Sequence, residues 1–373
     1  MKILNLSKLA KNSNKNFLND LMHNNESFHF LPVQEGITPQ GKKLKLGFSV
    51  YSLKMFYMTG EWDILEKKKQ SEWIKFINSF QSTNKLFPEH SYIDNEYLNY
   101  FKKNRVRLMV KDSAKRLLNA VTNKNYELNS RYIQNSVRAE TKQCIATLSQ
   151  VGQIVSQPYL DFPKKDLAIF LDNFDWTQPW GAGAQFSGLS VFITTQINDK
   201  KESDHLLNIM SDFIMKKVNL NDGAYYVGNQ PSKSQAINGA MKVLTGLDWL
   251  GINIHYPKKL IDLCLNTVPS SEGCDLVDIV YVLYRCSLET DYRKSEIVAY
   301  LENLESLISL HFYEDQGGFS YFKNRSQQNY YGVKISNGHD APDIHGTILL
   351  TWALAMIHEL ISPADNPWKI IKP

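Results

Sequence analysis

The chain has 373 residues, 43% of them hydrophobic, enough to bury a large core and to exclude an intrinsically disordered protein. Its 42 basic and 38 acidic residues leave a net charge of +4, so no nucleic-acid surface is expected, and "EKKK" (66–69) and "KKNRVR" (102–107) read as solvated helix ends. No apolar run spans a bilayer, no signal-peptide core opens the chain, and Cys144, Cys264, Cys274 and Cys286 form no CxxC pair; a cytoplasmic protein with reduced thiols is expected.

Residues 1–17 alternate Leu with Lys and Asn, and residues 1–40 are expected to form an N-terminal extension, with 41–373 expected to form a single domain. Apolar residues three and four apart then predict a succession of helices: 47–58, 71–81, 94–121, 137–153, 164–173 and 182–198. Further helices are predicted over 203–218, 233–251, 257–267, 274–288, 293–311 and 343–361. The connections carry Gly, Pro, Asn and Asp, as in "DWTQPWGAG" and "SNGHDAPD".

From about residue 164 two kinds of helix alternate. "ESDHLLNIMSDFIMKK" and "RKSEIVAYLENLESLISL" have a charged face, whereas "GAGAQFSGLSVFITTQI", "CDLVDIVYVLYRC" and "DIHGTILLTWALAMI" are apolar almost all round and must be buried on every side. Dry helices inside and wet helices outside describe two concentric rings. About twelve helices close into six hairpins, so the expected fold is all-α, an (α/α)6 toroid.

"NDGAYYVG" (221–228) and "DQGGFSYF" (315–322) resemble the Asp-Gly-Gly-aromatic turns that precede inner helices in α/α toroids, both the six-hairpin glycosidases and the terpenoid cyclase–protein prenyltransferase group. "DIHGTILLTWALAMI" is similar to the last inner helix of the second group, and the resemblance covers residues 137–361. It implies a funnel where helix N-termini converge, suited to an anionic or polyhydroxylated ligand.

Polar residues near the starts of the inner helices are the candidates. Asp275 and Asp278 share a helix face, and paired carboxylates suit general acid/base chemistry. Asp343 follows Pro342 where an N-cap belongs, and His345 falls in the first turn of a buried helix, where an imidazole needs a partner. Asp278, Asp340, Asp343 and His345 are the catalytic candidates, with His339 beside them in the loop. Arg138, Glu140, Gln143, Asp222, Asn238, Lys242 and Asp275 are candidates for holding a substrate, with Trp176, Trp180 and Tyr226 as stacking surfaces.

The leading expectation is a carbohydrate-active enzyme, of glycoside hydrolase, lyase or epimerase type, acting without a cofactor on a small molecule or oligosaccharide. The prenyltransferase resemblance implies an alternative, a zinc site drawn from Cys274, Asp275 and His345, although the Asp-x-Asp-Asp motif of the cyclases is absent. The remaining alternative is a toroid that binds a ligand or protein without catalysis.

Overall fold

A computed structural model describes residues 3–23, 27–122, 126–153, 155–270 and 272–373. The first helices are α1 (Ile3–Asp20), α2 (Leu46–Thr59), α3 (Glu61–Ile64), α4 (Lys67–Asn78), α5 (Asn95–Lys103), α6 (Arg105–Val121), α7 (Asn129–Gln150) and α8 (Leu167–Asp172). They are followed by α9 (Pro179–Gln196), α10 (Lys200–Met215), α11 (Lys233–Leu250), α12 (Pro257–Leu265), α13 (Gly273–Ser287), α14 (Lys294–Ser309) and α15 (Ile344–Ile361). Among the described residues, paired strands are limited to three two-stranded antiparallel hairpins, so the protein is all-α.

Helices α2, α7, α9, α11, α13 and α15 each pack on the next, and α15 packs back on α2, giving a cyclic order. The tightest of these contacts joins α9 to α11 and depends on glycine: a Cβ on Gly183 would lie 2.9 Å from the Gly239 carbonyl oxygen, and one on Gly239 would run into Pro179. Around this set, α10 packs on α8 and α9, α12 on α11 and α13, and α14 on α13 and α15. Their buried residues recur one turn apart, as in Ile297, Leu301, Leu304 and Ile308 of α14. Among the described residues only α15 is long and apolar enough to cross a membrane, and most of it is buried in the core.

Several element boundaries differ from the sequence-based expectation. The helix predicted over 94–121 breaks at Asn104, whose side-chain amide donates to the Tyr100 carbonyl at 2.7 Å and closes α5. Helix α7 starts at Asn129, a turn or more before the apolar pattern begins, because its first turns are only partly covered. The segment expected as an extension holds α1, which packs on α14 and α15. Leu6, Ala10, Phe17 and Leu18 are buried there, and Ser7 Oγ lies 2.8 Å from His358 Nε2 of α15.

The connection from α14 to α15 carries two of the hairpins, Phe312–Tyr313 with Gly318–Phe319 and Asn329–Tyr330 with Val333–Lys334. It lies across the N-terminal end of α15 and is pinned there by residues 33 and 37, which bridge to Asp343 and Ser336.

Candidate functional site

Four helices of the cyclic set present polar residues one turn apart, a spacing that places both members on one face. These pairs are Tyr51 and Lys54 on α2, Glu140 and Gln143 on α7, Asn238 and Lys242 on α11, and Asp275 and Asp278 on α13. Lys142 of α7, Cys274 of α13 and His345 of α15 join them. The ammonium of Lys242 acts on Lys54, Lys142, Cys274, Asp278 and His345 together, so one charge on α11 faces groups from four other helices. Tyr51, Lys142, Cys274 and His345 are half-buried although surrounded by protein, so their free surface faces an interior recess.

His345 is the most constrained of these groups. Its ring is stacked between Tyr51, 5.1 Å away with an interplanar angle of 6°, and Tyr321, 5.2 Å away at 17°. Nδ1 lies 2.9 Å from Gln327 Oε1; a carbonyl oxygen accepts, so Nδ1 carries the hydrogen and Nε2 keeps its lone pair. Burial, reinforced by the Lys242 and Lys54 ammoniums, holds the imidazole down at about 3, and it is neutral at physiological pH.

Asp343 builds this clamp. As N-cap of α15 it accepts from Gly346 N–H at 2.7 Å, and it also accepts from Tyr321 N–H at 2.7 Å and Gln327 N–H at 3.0 Å. The same carboxylate thus fixes the helix start that carries His345 and the backbone of Tyr321 and Gln327, two of the three residues that hold its ring. The cap expected from the sequence is present, and the connection before it is ordered by the same atoms. Burial pushes Asp343 up to about 6 against those N–H donors.

The two other buried carboxyls around the recess are held differently. No described residue donates a hydrogen bond to Asp278; burial pushes it up to about 6, opposed by Lys242 and assisted by Asp275. Glu140 accepts from the Tyr330 hydroxyl. Burial pushes it up to about 7, with the Tyr330 bond and Lys54 opposing and Asp94 assisting. Gly47 on α2 makes room for this pair, since a Cβ there would collide with the Tyr330 hydroxyl. Behind Glu140 an apolar pocket runs between Leu44, Ile93, Tyr97, Val137 and Tyr331.

The lysines carry the opposite perturbation. Burial lowers Lys54 to about 8, and its ammonium donates to Gln143 Oε1. Lys142 is lowered well below the usual lysine range by burial and by Lys54 and Lys242 beside it. Lys242 lies 5.9 Å from the ring of Trp180, which is exposed at the rim. None of the three forms an ion pair with a carboxylate among the described residues.

Of the residues expected from the sequence, Glu140, Gln143, Lys242, Asp278, Asp343 and His345 are brought together around this recess. Asn238 and Asp275 stand at its edge, where the Asn238 amide donates to Asp275 Oδ1 at 3.0 Å and Ser270 donates to Oδ2 at 2.5 Å. The others lie elsewhere. Arg138 Nε is 3.3 Å from Asp161 Oδ2, and its guanidinium packs on Phe170 and Phe192 between α7 and its neighbours. Trp176 is a core residue whose indole donates to the Leu171 carbonyl at 3.2 Å. Asp222 orders its own turn, accepting from Ala224 N–H at 3.0 Å and the Tyr226 hydroxyl at 2.8 Å, beside a surface cleft with Lys233 and Lys259. Asp340 is exposed and accepts from the Tyr313 hydroxyl, while His339 is 3.9 Å from Glu35 at the surface.

Cys274, Asp275 and His345 do not form a zinc set. Among the described residues no three His, Cys, Asp or Glu side chains converge as metal donors, Asp275 is occupied by Asn238 and Ser270, and His345 Nδ1 by Gln327. Burial and the Asp278 charge push the Cys274 thiol up to about 11.

Lys54, Lys142, Tyr51, Tyr321 and Gln327 were not among the residues singled out from the sequence. The first two carry a usable signal, a lysine inside an apolar helix stretch ("YSLKMFYM", "ETKQCIATL"). The last two are brought in by the folding of the 310–343 connection, which no periodicity describes. No protein-family model and no curated protein matches the chain.

Proposed function

We propose that the chain is an enzyme of the α/α-toroid kind that moves a proton at a carbon next to a carboxylate in an anionic, polyhydroxylated substrate, as a carbohydrate lyase or epimerase does. The cyclic order of six helices supports the toroid. The observation that carries the chemistry is the gathering of Lys54, Lys142 and Lys242 around a neutral His345 and a protonatable Asp278.

Charge decides between the reaction types. Glycoside hydrolysis passes through an oxocarbenium-like state, and positive charge developing beside the Lys54 and Lys242 ammoniums is disfavoured. Proton abstraction beside a carboxylate develops negative charge on the carboxylate oxygens, which the same lysines stabilise. In this reading Asp278, raised to about 6 and ionised at pH 7, is the base, and Glu140, raised to about 7, returns the proton from another helix of the cyclic set. His345, its tautomer fixed by Gln327 and its plane by the two tyrosines, accepts from a substrate hydroxyl at Nε2. Trp180 at the rim offers a face for a sugar ring.

The test is incubation with uronic-acid oligosaccharides in D2O. Deuterium entering the carbon beside the carboxylate, or an unsaturated product absorbing in the ultraviolet, is expected. Asp278→Asn should lower that rate by roughly 100- to 10,000-fold, the usual worth of a positioned base. Exchange at an equal rate in Asp278→Asn, or none with any uronate, overturns the reading.

A further inference from the structure

Helix α6 keeps one face uncovered by the described residues. None of its seventeen residues is buried, and Val106, Met109, Val110, Leu117 and Val121 are 78%, 58%, 66%, 66% and 70% exposed. Their spacing of three, four and seven residues places them on one face of the helix. Leu108, partly buried against the core, and Asp112, which accepts from Asn129 N–H at 2.9 Å, are on the opposite face and anchor the helix to the protein. The apolar face therefore points away from the molecule.

Basic residues flank that face on both sides: Arg105 and Arg116 along one edge, Arg107 and Lys111 along the other. Residues 102–121 hold seven Lys or Arg and one Asp, a net +6, whereas the whole chain carries +4, so the remainder is net −2. None of Lys102, Lys103, Arg105, Arg107, Lys111 and Arg116 forms an ion pair among the described residues. An exposed apolar stripe bordered by unpaired cations, on a helix held from its other side, is the arrangement that lies flat in a lipid interface. Anionic headgroups meet the basic edges while the stripe enters the acyl boundary.

We infer that α6 docks the protein on an anionic membrane surface, its Val106–Met109–Val110–Leu117–Val121 face inserted and its Arg and Lys edges against acidic headgroups. A protein groove would meet the apolar stripe without needing cations on both edges, and a nucleic acid would meet the cations without the stripe. Helix α5, continuous with α6 across Asn104, packs Phe101 beside Gly332 of the segment that carries Tyr330, so docking would hold the Glu140 side of the recess near the bilayer.

Co-sedimentation of the full chain with phosphatidylcholine vesicles, with and without phosphatidylserine, tests the inference. Binding to the phosphatidylserine vesicles is expected, weakened about tenfold or more by Val106→Glu with Val110→Glu and by Arg107→Gln with Lys111→Gln, and weak on pure phosphatidylcholine. All four positions are exposed, and circular dichroism of each variant confirms that the fold is kept. Absence of vesicle binding overturns the inference, as does binding that both variants leave unchanged. A dimer in solution that the glutamate pair dissociates, without vesicle binding, assigns the face to a second copy and also overturns it.

Discussion

Asp278 illustrates how a buried carboxyl taxes the fold that holds it. A carboxyl raised from 3.8 to about 6 binds its proton more tightly folded than unfolded, so its contribution to stability is full below pH 4 and is lost as pH rises through 6. The loss is roughly 3 kcal/mol by pH 7, at about 1.4 kcal/mol per unit. Asp278→Asn is therefore expected to be more stable than the parent at pH 7 and closer to it at pH 4, measured by urea unfolding at both values. A second residue-scale consequence concerns Lys142, held well below the lysine range by burial and two neighbouring ammoniums. An anion bound there raises its affinity for a proton again, so galacturonate binding is expected to take up protons, seen in titration calorimetry as a heat that varies with buffer ionisation enthalpy. Lys142→Met should reduce that variation, with Lys54, lowered to about 8, carrying the rest. Glu140, Asp278 and His345 were legible because a titratable group on a dry helix has no solvent to face. Lys54 and Lys142 were passed over because a long lysine stem on a helix ordinarily snorkels to the surface, and only the ring of surrounding helices removes that exit.

At the scale of elements, the helices of the cyclic set are held close by absent side chains more than by large ones. Gly239 on α11 faces Pro179 at the start of α9, with no room for a methyl group. Gly239→Ala should cost about 1–3 kcal/mol as the two helices are forced apart. Gly181→Ala, on the same α9 but with open space around its Cβ position, should be neutral or gain up to about 1 kcal/mol from helix propensity. Denaturant midpoints of the two variants separate close packing from propensity. Most helix positions were readable from the three- and four-residue spacing, because each element buries a stripe or its whole surface. Boundaries set by a single polar contact, such as Asn104 on the Tyr100 carbonyl, leave no periodic trace. The same is true of the 310–343 connection, whose path is set by Asp343 collecting backbone N–H groups from residues far apart in sequence.

At the scale of the whole molecule, the question is whether the N-terminal forty residues are an appendage or part of the wall. Helix α1 lies on α14 and α15, the helices that flank the connection carrying Tyr321 and Gln327. Phe17 has no solvent exposure and fits against Gly318, where a Cβ would come within 3.0 Å of its ring. Ser7 reaches His358 near the far end of α15, so α1 spans most of that helix. An appendage would melt separately and leave the main transition unmoved when weakened. A wall helix would lower the single transition, because α15 closes the cyclic order and cannot stay packed with its outer face wet. Phe17→Ala is accordingly expected to cost about 3–5 kcal/mol, the usual price of truncating a fully buried Phe, and to shift the whole calorimetric transition downward as one peak. Two resolved peaks, with the larger one unmoved, would show instead that α1 folds independently of the ring.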